Sequence, residues 1–377
     1  MNDSNISTLI AFRKDLHQHP EVSGMEAKTA KKVKDFVQQY SPDQTIENLG
    51  GHGIAFVYKG TEPGPTTMIR CELDGLPIKE KNSFAHASTI EGSFHGCGHD
   101  GHMAMLAGVG MELSVQKPLK GKVVLLFQPA EETGEGAEKV LKSKAFDKIN
   151  PDYAFAIHNL PGYPEKQIVV KKGTFAAASK GMIINLKGKT SHAAHPEDGI
   201  SPAEAMCKLI IGLQKLPEGV KKFALITVVH ARLGEVAFGT SPGDASVMAT
   251  LRAYEDEVLD TMTDYSEKLV AQLAKEYKLE FDISYTESFA ATDNHAEAHE
   301  IIRSAAKKLK LKPKNIRVPF RWSEDFGHFS KNSKTALVGL GAGKKQAQLH
   351  EPTYDFPDGI ISTGIDLFLQ TIKEIHH

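Results

Sequence analysis

Two rhythms of apolar positions alternate over the first part of the chain, up to about residue 175. Helical spacing predicts helices over residues 7–19 and 25–40, the second ending before Ser41-Pro42. Short unbroken apolar runs at 66–70, 123–127 and 153–157 read as strands covered on both faces. Between them lie an apolar helix over 102–115 and a second near 136–144. From Gly181 the order changes to strand 182–186, helix 201–216, strands 224–233 and 246–254, helix 255–279 and strand 281–289. That β-α-β-β-α-β order is the ferredoxin-like one. Helix 296–309, strand 335–340 and helix 360–375 close the chain.

The expected fold class is therefore α/β. A doubly covered, mostly parallel-sheet catalytic domain over 1–178 and 292–377 is interrupted by an α+β ferredoxin-like insert over 179–291. Composition narrows the possibilities further. With 45 Lys+Arg against 47 Asp+Glu in 377 residues, no net field points to nucleic acid or an anionic membrane surface. Three cysteines cannot build a disulfide framework and fit a reducing compartment. The polar start Met1–Ser7 is unlike a signal peptide, and no window reaches the length of a membrane span. The expected address is the cytoplasm. Seventeen histidines direct attention to metal chemistry.

The densest candidate is His95-Gly96-Cys97-Gly98-His99-Asp100-Gly101-His102, where thiolate and imidazole ligands stand among glycines that let a loop close on an ion. Taken alone, the segment also suits a buried cysteine beside surface histidines. Glu131-Glu132 follows the strand at 123–127. Two adjacent carboxylates repel unless a cation or a proton intervenes, though such a pair can also simply answer a helix dipole. His158 follows the strand at 153–157, and His350 lies well after the last one. In an open α/β sheet, sites form beyond the carboxyl ends of the strands, which is where Asp74, Cys97, Glu131, Glu132 and His158 are expected. Convergence of one sulfur, three imidazoles and a carboxylate could ligate two metals.

These motifs resemble the metallopeptidase superfamily of carboxypeptidase G and aminoacylase, and within it the amidohydrolase branch of hippurate hydrolase and the indole-acetyl-amino-acid hydrolases. The likeness runs through Arg13–Glu21, Asp74-Gly75-Leu76-Pro77, His95–His102, Pro129–Gly134, His192–Pro196, Thr250-Leu251-Arg252, Ser323–Phe326 and His350–Asp358. It implies a metal-dependent amidohydrolase that cleaves N-acyl amino acids, or on the same scaffold a dipeptidase or carboxypeptidase. It also implies two divalent ions per subunit (zinc, manganese, cobalt or nickel) and a possible homodimer through the insert, which would act as a lid. The implied ligands are Cys97, His99, Glu132, His158 and His350. Glu131 matches the general base, Asp74 a carboxylate supporting the ligands, and His192 a stabiliser of the oxyanion. Cys97 stands where peptidase relatives place an aspartate.

Arg252 is a candidate partner for a substrate carboxylate, or a strand arginine paired with Glu255. His17 reads as structural, and Cys207 as core on the apolar face of the 201–216 helix. Two departures from the family pattern stand out. Glu72 occupies a position commonly held by aspartate in this branch, and Phe238–Gly243 replaces an Asn-Val-Ile-Pro run.

Overall fold

The computed structural model describes residues 1–377 and divides into two compact units. One comprises Met1–Phe175, Thr292–Pro319 and Asp325–His377, the other Ala176–Ala291 with Phe320–Glu324. In chain order the first contributes α1 (Asp3–Gln18), α2 (Ala27–Val37), β1 (Gln44–Leu49), β2 (Gly53–Lys59), β3 (Glu62–Glu72), α3 (His99–Val115), β4 (Lys120–Gln128), α4 (Gly136–Lys142), β5 (Tyr153–Pro161), β6 (Ile168–Val170) and β7 (Gly173–Ala176). Then come β8 (Ala178–Lys187), β9 (Ser191–His192), α5 (Ala203–Lys215), β10 (Ala224–Leu233), β11 (Thr240–Ser241), β12 (Asp244–Ala253), α6 (Asp256–Glu276) and β13 (Glu280–Phe289). The chain closes with β14 (Thr292–Asn294), α7 (Ala296–Lys308), β15 (Lys314–Asn315), β16 (Lys334–Gly343) and α8 (Ile361–His376).

The first unit is built on an eight-stranded sheet in the order β1-β2-β4-β3-β5-β16-β6-β15. Its centre, β4-β3-β5-β16, is parallel throughout, as the unbroken apolar runs predict. β1 and β2 extend one edge antiparallel. Helix α3 lies against α1, α8 and β3 and is buried almost all round, so it shows no polar face. Its glycines permit that closeness: a Cβ on Gly101 would meet the Phe356 ring at 2.3 Å, and one on Gly108 would meet Ile365 at 2.4 Å. At the chain end, His376 is fully buried, with its ring nitrogens 2.7 Å from the Lys120 carbonyl and 2.9 Å from Thr67 Oγ1. No helix is long and apolar enough to cross a membrane.

The second unit is a four-stranded antiparallel sheet, β10-β12-β8-β13, so that the first strand of this unit lies between its fourth and third. Alternate residues Met182, Ile184 and Leu186 of β8, and Val247, Ala249 and Leu251 of β12, form its core with Leu209 and Leu213 of α5 and Met262 and Val270 of α6. Cys207 does not join them. It is exposed, two residues beyond Ala205 in a helix whose buried line runs Ala205-Leu209-Leu213, and this places it on the opposite side.

Candidate metal centre

Parallel strands deliver their carboxyl ends to one edge of the sheet, and the candidate residues follow from that. β3 ends at Glu72 and hands on to Asp74. β4 ends at Gln128, three residues before Glu131. His158 lies near the end of β5, and Cys97 closes the loop that leads into α3 at His99. His350 comes from the loop after β16 in a left-handed backbone conformation, φ 66°.

These side chains converge. Cys97 Sγ lies 3.5 Å from His158 Nε2. His99 Nε2 is 3.8 Å from Glu132 Oε1 and 3.9 Å from Glu131 Oε2, and His350 Nε2 is 3.7 Å from Glu132 Oε2. Three overlapping sets, Cys97/His99/His158, Cys97/Glu132/His350 and His99/Glu131/Glu132, each place their donor atoms within 4.8 Å of one another. Donors on one tetrahedral ion with bonds of 2.0–2.3 Å stand roughly 3.3–3.8 Å apart, so the spacing suits shared ions better than direct hydrogen bonds.

The histidines are also turned for ligation. His99 Nδ1 is 2.8 Å from the Asp74 carbonyl and His158 Nδ1 is 2.9 Å from the Asn159 carbonyl, so each ring donates from Nδ1 and presents the Nε2 lone pair to the cluster. His99 Nε2 is buried with no hydrogen-bond partner, a costly state unless something accepts the lone pair. The field there asks for positive charge. Burial alone would lower the His99 pKa, yet Glu72, Asp74 and Glu132 push it up to about 10. Thiolate, imidazole and carboxylate donors fit a borderline divalent ion such as zinc or its first-row neighbours.

Asp74 is fully buried and braces this centre. Its Oδ2 accepts from Ser23 Oγ (2.7 Å) and from the Glu132 backbone N–H (3.0 Å). Burial would raise its pKa, but the bonds to His99, Ser23 and Glu132 N–H hold it below the ordinary value. Glu72, the longer side chain where an aspartate is common, pairs with buried Arg70, and its Oε2 lies 2.6 Å from His102 Nδ1. His102 continues to Asn159 Oδ1 (2.6 Å), and Asn159 to the Tyr354 hydroxyl (2.5 Å). Sequence reasoning gave neither Arg70 nor Asn159 a role. Both stand within strands, where a polar side chain on an otherwise buried run is the only available signal.

His192 and Arg252 belong to the second unit. His192 is exposed on β9, where it pairs with Thr240 of β11, and its Nδ1 accepts from the Ala194 N–H at 3.0 Å. The departing Phe238–Gly243 run is therefore the strand partner of the His192 hairpin, and Ala193 N–H also donates to the Gly239 carbonyl at 2.9 Å. Phe238 itself is fully exposed. Arg252 does not pair with Glu255, which is taken by Lys222. Its guanidinium donates to the Ser323 hydroxyl (2.9 Å) and the Arg321 carbonyl (3.1 Å).

The sequence profile of the family described as peptidase family M20/M25/M40 matches residues 68–374. An N-acetylcysteine deacetylase of Bacillus subtilis is 28% identical over 380 residues, spanning 97% of this chain and 98% of its own length. A hippurate hydrolase of Campylobacter jejuni is 29% identical, spanning 95% and 94%. Among solved structures, a dinuclear metal-binding peptidase of family M20 from Bacillus subtilis superposes with a TM-score of 0.83 at 26% identity, covering 98% of each chain.

Proposed function

This chain belongs to peptidase family M20/M25/M40, and on that premise we propose that it hydrolyses N-acyl amino acids to a carboxylate and a free amino acid. It is a metal-dependent hydrolase of amide bonds. The observation that carries the finer reading is the convergence of buried Cys97, His99 and His158 with the Glu131-Glu132 pair and the more exposed His350. Relatives that act on N-acetylcysteine and hippurate support the substrate class.

Cys97, His99, Glu132, His158 and His350 would hold two divalent ions, zinc, manganese, cobalt or nickel. Bound there, such ions polarise the scissile carbonyl and lower the pKa of water toward neutrality. Glu131 takes the proton of the attacking water. It then returns that proton to the amide nitrogen, so the amino acid leaves as a neutral amine rather than an amide anion. Asp74 fixes His99 from behind and holds the Glu132 backbone. His192 is assigned the stabilisation of the oxyanion, and Arg252, whose planar fork suits a carboxylate, the substrate's free acid. The insert over 179–291 carries both and is proposed as the lid.

Chelator-stripped protein tested on acetyl- and benzoyl-amino acids beside dipeptides, with each metal added back, checks this reading. Hydrolysis of the acyl amino acids that vanishes on stripping and returns with metal is expected. Preference for dipeptides would overturn the substrate class, and activity that survives stripping would overturn the assigned roles.

A further inference from the structure

The turn that carries Glu131 and Glu132 is gripped by two carboxylates from elsewhere in the chain. Asp74 takes the Glu132 N–H. The other is Glu26, which is fully buried and whose Oε1 accepts from Gly24 N–H and from Ala130 N–H, both at 2.8 Å. Ser23, three residues earlier, donates to Asp74. One short span therefore reaches the turn by both routes. It is anchored by the Val22–Gly75 bridge and by the Met25 N–H donating to the Val22 carbonyl at 2.9 Å.

Ala130, immediately before Glu131, has φ 51°. A left-handed backbone costs an L-residue roughly 1–2 kcal/mol, and alanine lacks the local hydrogen bonds with which Asn or Asp offset it. The conformation must therefore be imposed from outside. The Ala130 carbonyl accepts from Gly136 N–H (3.0 Å) and Thr133 Oγ1 (3.3 Å), which ties the turn to its own downstream residues. The N–H is the link to another part of the fold, and Glu26 holds it. If Ala130 relaxed toward an extended or right-handed conformation, the next peptide would swing and the Glu131 side chain would point elsewhere.

We propose that Glu26 is a positioning residue for the catalytic base: by clamping the Ala130 N–H it keeps Ala130 left-handed and so aims the Glu131 carboxylate. This rests on the assignment of Glu131 as the base. Glutamine has the length and planar shape of glutamate, so it is a close replacement for Glu26. Glu26→Gln keeps a carbonyl acceptor for Ala130, whereas Glu26→Leu keeps bulk and removes the acceptor.

The full-length enzyme, stripped and titrated with Mn²⁺ alone and then assayed, separates the roles. Glu26→Leu should lose about 100-fold in kcat with KM little changed, the scale of a misplaced catalytic group. It should still bind two equivalents of Mn²⁺, because Glu132 keeps its own clamp on Asp74. Glu26→Gln should recover kcat to within about fivefold of the parent, a difference of roughly 1 kcal/mol. Parental kcat in Glu26→Leu overturns the inference. So does equal loss in both variants, or loss that tracks missing Mn²⁺. Should Glu26→Leu not fold, Glu26→Asp, which withdraws the carboxyl by one methylene, replaces it in the same comparison. Glu131→Gln is the control: if that variant stays active the base assignment itself fails, whereas an inactive Glu131→Gln beside a fully active Glu26→Leu defeats only the clamp.

Discussion

Two polar centres draw on α3's first turn, one through Asp100 and the other through His99, and they solve the same electrostatic problem in opposite ways. In one, Arg13 donates to Asp100 (3.2 Å), Asp355 (2.7 Å) and Asp358 (3.0 Å), while His17 lies 2.9 Å from Asp100 and 3.2 Å from Glu80. The chain supplies its own cations there, and the carboxylates stay ionised: burial would raise the Asp100 pKa, but His17 and Arg13 hold it well below the ordinary value. In the other, Cys97, His99, Glu131, Glu132, His158 and His350 bring donors together at 3.5–3.9 Å with no Lys or Arg among them, and nearby carboxylates push the His99 pKa up to about 10. Asp100 and His99 are neighbours in sequence and belong to different centres. The lesson is that residue type alone does not separate the two clusters, whereas the presence or absence of intrinsic cations does.

The comparison can be broken at several points. The largest effect is expected from Glu131→Gln, which should lower kcat by about 10³-fold, within the range for a general base, while Mn²⁺ binding measured by titration stays near the parent. Next comes the metal itself. Each ion at a thousand times its Kd should add about 4 kcal/mol to unfolding stability, read as a rise in midpoint between stripped and loaded protein. Arg13→Ala should cost about 3–4 kcal/mol in urea unfolding with or without metal, because it takes from buried Asp100 and half-buried Asp355 and Asp358 the guanidinium they share. A loss seen only in the loaded protein would mean the two centres are one.

His17 gives the pH test. Burial opposes protonation, but Asp100 and Glu80 push its pKa from 6.5 up to about 9. The folded state therefore binds the proton more tightly than the unfolded chain. This contribution is fully present below pH 6.5 and is lost as pH rises through 9, up to about 3 kcal/mol. His17→Gln should flatten the unfolding stability over that window. The smallest expected change is Cys207→Ser, within about 0.5 kcal/mol, as for an exposed helix position.

How much of this was legible depended on whether a function was written locally. Cys97 and His99 lie two residues apart and Glu131 and Glu132 share one turn, so their convergence could be anticipated, as could the parallel core from runs such as Val123–Phe127. β1 was not anticipated: Gln44–Leu49 mixes polar and apolar residues without alternation, and pairing with β2 decides it. Cys207 was misread because the apolar stretch around it was taken without its helical phase. The alternative reading of Arg252, paired with a sequence neighbour such as Glu255, fails because its partners are about 70 residues away in the chain. Glu26 gave no signal at all. A single glutamate in a polar segment acquires meaning only when Ala130, a hundred positions later, is folded against it.

The wide separation of these parts has a consequence for synthesis. At roughly 5–20 residues per second, a ribosome that has finished His158 needs on the order of ten to forty seconds to reach His350 and the aspartates that answer Arg13. In that interval the nascent chain carries a thiol and several imidazoles lacking their last companion, while the segment from Ala176 to Ala291, whose core is its own, is being made. A product truncated before residue 350 would therefore carry an incomplete centre.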